Sequence, residues 1–488
     1  MKFQILLTLC TVFLLGIGQA SASAPSDSNP AKTWDASAVS GTLPVLYVNT
    51  EGGVPIVDKV TQISASLWIE VPEACDQKDL ALGSAEEPLG LVIRGRGNST
   101  WQNDKKPYKL KFNSKTPMMG MPKHKHFALL ALAHGHRDWS AYNCGLEFAR
   151  YMNLGWTPAM KPVEFVLNGE YLGLYWVIES IKIGENRLNI YEQPDINEDD
   201  DTIPYGWLVE IDNTEDDCQI MVKENEDHWM RVTYHSPEEL SDKQESWLTG
   251  SFTKICETIY SDDEAIAENW DRYLDPYSLA KCFIIRELNS DLDGFAGSVY
   301  LHRDKTDDAK WVFGPIWDCA MSTAGLSAPT DWYINTKPEW RHWHLIEQIF
   351  KTKKFQDVFL EVWNNFYPEG ISHIHEYMKE LSGPLMEVNA INNERWNIDQ
   401  VMTPTMIEWL FDGLYNRKAK WIEEHKYFNA EACAPDIAAD SAPDIVSELW
   451  FDLSGSRIDS HAARGLYIRR VTLRDGSVRT SKVSVTTD

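Results

Sequence analysis

Ile93-Arg94-Gly95-Arg96-Gly97-Asn98-Ser99-Thr100-Trp101 is followed closely by Lys105-Lys106-Pro107-Tyr108-Lys109-Leu110-Lys111-Phe112. Two glycines one residue apart mark a tight turn in which backbone N–H groups can approach an anion closely. The alternation after Pro107 reads as a strand that carries Lys109 and Lys111 on one face. A glycine turn feeding a lysine-bearing strand is a way of holding phosphate, with the lysine as a point charge. Basic hairpins that hold nothing share this pattern, so the remainder of the chain has to discriminate.

The chain has 488 residues, more than one compact core accommodates, so two or three domains are expected. Its formal net charge of −27 argues against nucleic acid as a partner, because phosphate backbones are held by clustered Lys and Arg. A nucleotide is not excluded, since one basic pocket fits within an acidic protein. Lys2, the apolar run Ile5 to Ile17 and the small residues Ala20-Ser21-Ala22 read as an export signal over residues 1–22. That run is too short to span a bilayer, and no later stretch is long and apolar enough. An exported protein at the cell surface or in the medium is therefore expected, with no transmembrane segment in the mature chain. Seven scattered cysteines remain beyond the signal, without a C-x-x-C pair; neither a disulfide framework nor a zinc site is expected.

Residues 23–42 read as a flexible lead-in, and residues 43–85 alternate as strands do. Trp139, Tyr142, Leu146, Ala149 and Met152 recur at helical steps and predict a helix over 139–153. Val163 to Leu167 and Tyr171 to Ile178 predict a hairpin closed by Asn168-Gly169. The acidic run 195–201 lacks the glycine and terminal Glu of a calcium loop and reads as solvated. From about residue 240 helices predominate; Asp275-Pro276 is an N-cap and first-turn pair. Residues 429–445 form an Ala/Pro/Asp linker, and residues 446–488 read as a small β-module.

The motifs are similar to those of the spore coat protein H (CotH) family. "RGRGNSTW…KKPYKLKF" resembles the family's opening, Asn168-Gly169-Glu170-Tyr171-Leu172-Gly173-Leu174-Tyr175 its strand pair, and Glu287-Leu288-Asn289-Ser290-Asp291-Leu292-Asp293-Gly294-Phe295 with Gly314-Pro315-Ile316-Trp317-Asp318 its second half. The resemblance spans about residues 43–425. It implies an α+β, atypical protein-kinase-like two-lobed fold. The β-rich N-lobe is about 43–180, the helical C-lobe about 181–428, and a C-terminal β-sandwich module follows the linker. It also implies phosphoryl transfer from ATP to a protein acceptor with Mg or Mn. Arg94, Gly95, Gly97, Asn98, Ser99 and Lys109 would meet the phosphates, Lys111 being the alternative lysine. Glu147 would pair with Lys109, and Glu179 would belong to the adenine-side connection. Asp293 would take the catalytic-loop position, and Asp318, Asp293 and Asp291 would ligate metal. Asp291 stands where the family has Asn, and Ala320 where it has a second Asp of "WDFD". Ala320 raises the alternative of a catalytically inactive surface binding or adhesion protein.

His302-Arg303-Asp304 spells a kinase "HRD" but lacks the Asn that follows it, and is expected to be a solvated hairpin. Trp340 and Trp343, with His342 and His344, are expected in core packing, and Arg395-Trp396 and Arg417 in helix packing. The terminal module, with Asp452-Leu453-Ser454-Gly455 and Gly465-Leu466-Tyr467-Ile468, resembles the sorting domains of Bacteroidetes type IX secretion substrates, which implies an export or sorting machinery as partner.

Overall fold

Alternating apolar and polar residues dominate the first half of the chain, and they close into a barrel. The computed structural model describes residues 33–133, 136–291, 294–319, 331–332, 344–400, 402–427, 445–451, 457–458, 465–473 and 478–485. The barrel strands are β1 (Val45–Thr50), β2 (Ile63–Glu70), β3 (Leu89–Gly95), β4 (Tyr108–Met118), β5 (Met121–Leu130), β6 (Met160–Leu167) and β7 (Glu170–Glu179), in the order β1-β2-β3-β4-β5-β7-β6. Parallel pairing of β1 with β6 closes it. Ile93, Tyr108, Leu110, Phe112, Phe127, Leu129 and Val177 fill its interior. The β6–β7 turn is as the sequence predicts: Asn168 and Gly169 both have positive φ, the conformation a two-residue hairpin requires.

Helix α1 (His136–Tyr151) joins β5 to β6; it starts three residues before the predicted stretch 139–153 and ends two residues short of its end. Its apolar face, with Trp139, Tyr142, Leu146 and Ala149, joins Trp176 and Ile178 from the outer surface of β7 in a second, larger core. That core continues into a sheet of order β12-β11-β8-β10-β9, made by β8 (Trp207–Ile211), β9 (Gln219–Lys223), β10 (Trp229–Ser236), β11 (Val299–Arg303) and β12 (Val312–Phe313). Helices α2 (Asp242–Ile259), α3 (Glu264–Ala267), α4 (Pro276–Leu288), α5 (Leu345–Lys351), α6 (Lys353–Phe366), α7 (Glu369–Ser382), α8 (Met386–Trp396), α9 (Pro404–Phe411) and α10 (Arg417–His425) make the helical second half. Asp275 caps α4 by accepting from the Ser278 amide, with Pro276 in the first turn, as the dipeptide signals.

Three sequence readings meet particular outcomes. Strands β13 (Ile445–Phe451), β14 (Arg457–Ile458), β15 (Gly465–Leu473) and β16 (Val478–Val485) form one four-stranded sheet, order β14-β13-β15-β16, rather than two packed layers among the described residues. His302-Arg303-Asp304 is not a loosely solvated hairpin. His302 Nδ1 lies 3.0 Å from the Gly314 carbonyl, Arg303 donates to Pro204 and Asp304 accepts from the Tyr191 amide. Arg395 and Trp396 fasten α8 to barrel strand β7, through Glu170 and the Leu172 carbonyl. Trp340, His342, Trp343, the signal segment and most of the linker lie outside the described residues.

A buried ammonium joins the barrel to α8. Lys105 Nζ donates to the carbonyls of Ala131 (2.8 Å) and Leu174 (2.5 Å) and to Asn392 Oδ1 (2.8 Å), over the face of Tyr175. Burial pushes its pKa down to about 7, with Asp138 pulling the other way. Gly173, at φ +86°, lets Asn392 come this close, since a Cβ there would lie 2.6 Å from Asn392 Oδ1. Lys105→Met keeps the stem and strands the acceptors, so a loss of ~3 kcal/mol is expected in urea unfolding. A loss below ~1 kcal/mol would show that the three bonds do not fasten the barrel.

Candidate functional site

The glycine turn is held from below. The Gly95 amide donates to Asp58 O (3.0 Å), the Arg96 amide to Pro107 O (3.2 Å), and the Arg94 guanidinium to the Lys59 carbonyl. A Cβ on Gly95 would lie 2.5 Å from the Trp101 ring, and one on Gly97, at φ +81°, 2.1 Å from Thr100 Oγ1. The glycines are thus required by the turn's own packing. Two of its amides are already used, whereas those of Gly97, Asn98 and Ser99 meet no acceptor among the described residues. Asn98 crosses to the second half of the molecule: its Nδ2 donates to Thr214 Oγ1 (2.9 Å), just beyond β8. Arg96 lies over the Trp317 ring at 5.6 Å. The turn therefore roofs a cleft whose floor is built by β8, β11 and the 314–319 segment.

Register builds the roof behind it. Arg94 on β3 stands directly opposite Lys109 on β4, Lys109 opposite Ala128 on β5, and Ala128 opposite Ile178 on β7. Like charges directly opposite each other destabilise a sheet unless something neutralises them. Lys109 makes no hydrogen bond or ion pair among the described residues. Burial first, then Arg94, Lys182 and Arg96, push its ammonium down to about 8, with Glu238 opposing.

The ion pair expected between Lys109 and Glu147 is not present. Glu147, on α1, faces away and binds Arg150 (3.2 Å) and His373 of α7 (2.8 Å), a surface role in helix packing. Glu179 is buried at the end of β7, accepting from Arg187 (2.5 Å) and from the Ala159 amide (2.9 Å). Desolvation raises its pKa, and its bonds oppose that shift. It anchors the connection between the halves, and its side chain is committed there.

On the floor, Arg286 of α4 organises the segments that carry the predicted acids. It binds Asp291 Oδ2 at 2.6 Å and donates to the carbonyls of Ser298 (3.1 Å) and Trp317 (3.2 Å). Asp291 is buried in this pair. Asp293 lies outside the described residues. Asp318 has φ +50°, in the left-handed region that Asp tolerates better than most residues, and its amide donates to the Tyr142 hydroxyl (3.2 Å). Its carboxylate is open to solvent and has no hydrogen-bond or ion-pair partner among the described residues. Desolvation raises its pKa, Arg96 and Arg286 lower it, and Glu210 and Asp138 add to the rise.

Several participants escape sequence reasoning. Glu210 on β8 pairs with His235 (2.7 Å), whose ring stacks on Tyr300. Asp212 follows, pushed up to about 6 by burial and by Glu210. Gly145 lies inside α1, where a Cβ would come within 2.3 Å of Cys319 Sγ and 2.5 Å of Asn289 Nδ2. A glycine within an amphipathic helix is the signal by which sequence reasoning could have found it. Arg96 stood in the quoted motif but had no role assigned. Among the described residues no three His, Cys, Asp or Glu side chains converge as a preformed metal cage.

A family described as CotH kinase protein matches residues 93–429, about two thirds of the chain, and no curated protein matches it. The chain belongs to the CotH kinase family. Its β-rich N-terminal part and helical C-terminal part are compatible with a kinase-like protein.

Gly145→Ala is expected to lower stability by ~1–3 kcal/mol in urea unfolding, because the added methyl collides with the Cys319 and Asn289 segments. Gly250→Ala in α2, with open space around it, is the control and is expected to be neutral or stabilising by up to ~1 kcal/mol. Equal effects at the two positions would refute the close-approach role of Gly145.

Proposed function

We propose that this protein is an exported CotH-like kinase that transfers a phosphoryl group from ATP to a protein acceptor. One observation carries the reading. The cleft roof sets Arg94 directly opposite Lys109, and neither is ion-paired to a carboxylate among the described residues. Paired cations of this kind suit the phosphates of a nucleotide.

The residues fit a divalent cation in the manner of magnesium, which takes one or two carboxylates and completes its shell with phosphate oxygens and water. Asp318, exposed and without a partner among the described residues, would hold it, with Asp293 as the second candidate. Asp291 is the weaker third candidate, being tied to Arg286. When bound, Mg or Mn would neutralise charge on the transferred group. Lys109 and Arg94 bind and orient the phosphates, Arg96 adds charge above Trp317, and the turn around Asn98 limits water access. Asp212, with its raised pKa, sits on the acceptor side as a proton-accepting group.

Ala320, where the family has Asp, favours the second reading, an inactive surface binder that keeps the fold.

Incubation with γ-labelled ATP and Mg or Mn tests the two. Label on protein is expected, falling at least about a hundredfold in Asp318→Asn and Lys109→Ala with the fold retained. No label, together with no ATP-induced rise in melting temperature, would favour the binder. Lys109 also sets a pH dependence. A bound phosphate raises its pKa above the free value of about 8, so binding takes up a proton as pH rises through that value. ATP affinity is therefore expected to weaken above about pH 8, and in Lys109→Ala this limb should vanish; a flat wild-type profile would remove Lys109 from the site.

A further inference from the structure

Residues 105–137 contain seven lysines and Arg137 but no Asp or Glu, inside a chain of net charge −27. Most of this stretch is the β4–β5 hairpin. Lys109, Lys111 and Lys115 lie on β4, with His124 and His126 on β5; Lys111 is the direct partner of His126 and Thr116 of His124, and the register is irregular between Lys111 and Thr116, so Lys109 and Lys111 hold the two-residue spacing and Lys115 stands beyond the irregularity. The inward residues Tyr108, Leu110 and Phe112 fill the barrel, so the intervening lysines point out. None of the three lysines has an ion pair among the described residues. Lys182, beyond β7, completes the face. The acid beside it, Glu238, is taken by that lysine at 2.7 Å.

We infer that this face is a docking site for an extended acidic polypeptide segment that carries a carboxylate at every second residue. Spacing supports an extended occupant. Lys109 and Lys111 are two residues apart along a strand, roughly 7 Å, and an extended chain repeats its side chains at the same interval. The row is too long for one phosphate and ends at Lys109, in the cleft. That the docked segment feeds an acceptor into the cleft rests on the kinase reading; the docking itself does not.

The two imidazoles add a pH response. His126 Nδ1 is buried without a hydrogen-bond partner, while His124 Nδ1 accepts from the His126 amide at 3.0 Å. Burial is the main reason both rings are pushed down to about 4. Arg187, Lys115 and Lys182 add to it at His124; Lys182, Lys109, His124 and Lys111 add to it at His126. Glu238 is the acid on this side, and it lies within the field of His126 and Lys109. Carboxylates laid along the face raise both histidines towards their ordinary value, so docking takes up protons and tightens as pH falls.

The test uses the full chain without nucleotide and a fluorescent peptide of about ten residues alternating Glu and Thr, beside one of equal composition with all Glu at one end. The alternating peptide is expected to bind more tightly, and more tightly at about pH 5.5 than at about pH 7.5. Lys111→Glu with Lys115→Glu should weaken it about tenfold or more at unchanged melting temperature, and His124→Ala with His126→Ala should remove the pH dependence. Binding unaffected by the lysine reversals, or absent altogether, overturns the proposal. Equal affinity for the two peptides, or displacement by pyrophosphate at comparable affinity, overturns it in favour of a compact-anion site. Should the double reversal unfold, Lys115→Gln, at an exposed position, has to weaken binding, and an unchanged affinity overturns the proposal. Because no nucleotide is present, a negative result bears on docking and leaves phosphotransfer to its own assay.

Discussion

The close approach of α1 to the segments around Asn289 and Cys319 is the constraint on which the cleft depends. Gly145 has no side chain at the point of contact, so Cys319 Sγ and the Asn289 amide occupy the space of its absent Cβ. Asn289 then donates to the carbonyls of Ala141 and Cys319, and the Tyr142 hydroxyl accepts from the Asp318 amide. These bonds hold Asp318 in a left-handed conformation that would otherwise relax, at a cost of order 1 kcal/mol or more. From the other side Arg286 grips the Trp317 carbonyl and Asp291. The exposed carboxylate is fixed at its backbone and left open at its side chain, which is the division of labour a cation site needs.

The roof is arranged by the opposite means. There the register of β3 against β4, rather than hydrogen bonds to side chains, brings cations together. Repulsion between Arg94 and Lys109 is tolerated because the barrel beneath is closed and well filled, and Lys105 fastens it to α8 through three acceptors. Stability generated in the core supports an unfavourable charge arrangement on the face, the usual exchange at a functional site.

What the sequence discloses follows from the range of the interactions. The β6–β7 hairpin, the α1 periodicity and the Asp275-Pro276 cap are encoded within a few residues, and each stands where local rules put it. Lys109 and Asp318 are legible as cleft residues only through their place in motifs that resemble the family's, since spacing alone leaves a lysine on a strand or an aspartate in a loop unremarkable. Glu147 shows the limit of that approach. A helix offers acids on every face, and which one meets the strand lysine depends on rotation of the helix against the barrel. Here rotation turns Glu147 towards His373 of α7. Glu210, Asp212 and Arg96 were missed because their significance is purely tertiary: β8 reads as an ordinary buried strand, and nothing in its order shows that it lies beneath the glycine turn.

Charge is segregated across the cleft in a way that composition conceals. An overall charge of −27 suggests uniform repulsion of phosphate, yet the wall that would meet phosphate carries Arg94, Arg96 and Lys109, while the carboxylates of Glu210, Asp212 and Asp318 lie on the opposing floor. Opposed walls of opposite sign attract each other, and Asn98 to Thr214 is the direct bond across them. An anion entering between them is attracted by the roof and repelled by the floor, so it binds well only when a cation accompanies it to the floor. On the proposed kinase reading, this electrostatic logic would make nucleotide and metal binding mutually dependent, irrespective of which residue completes the metal's shell.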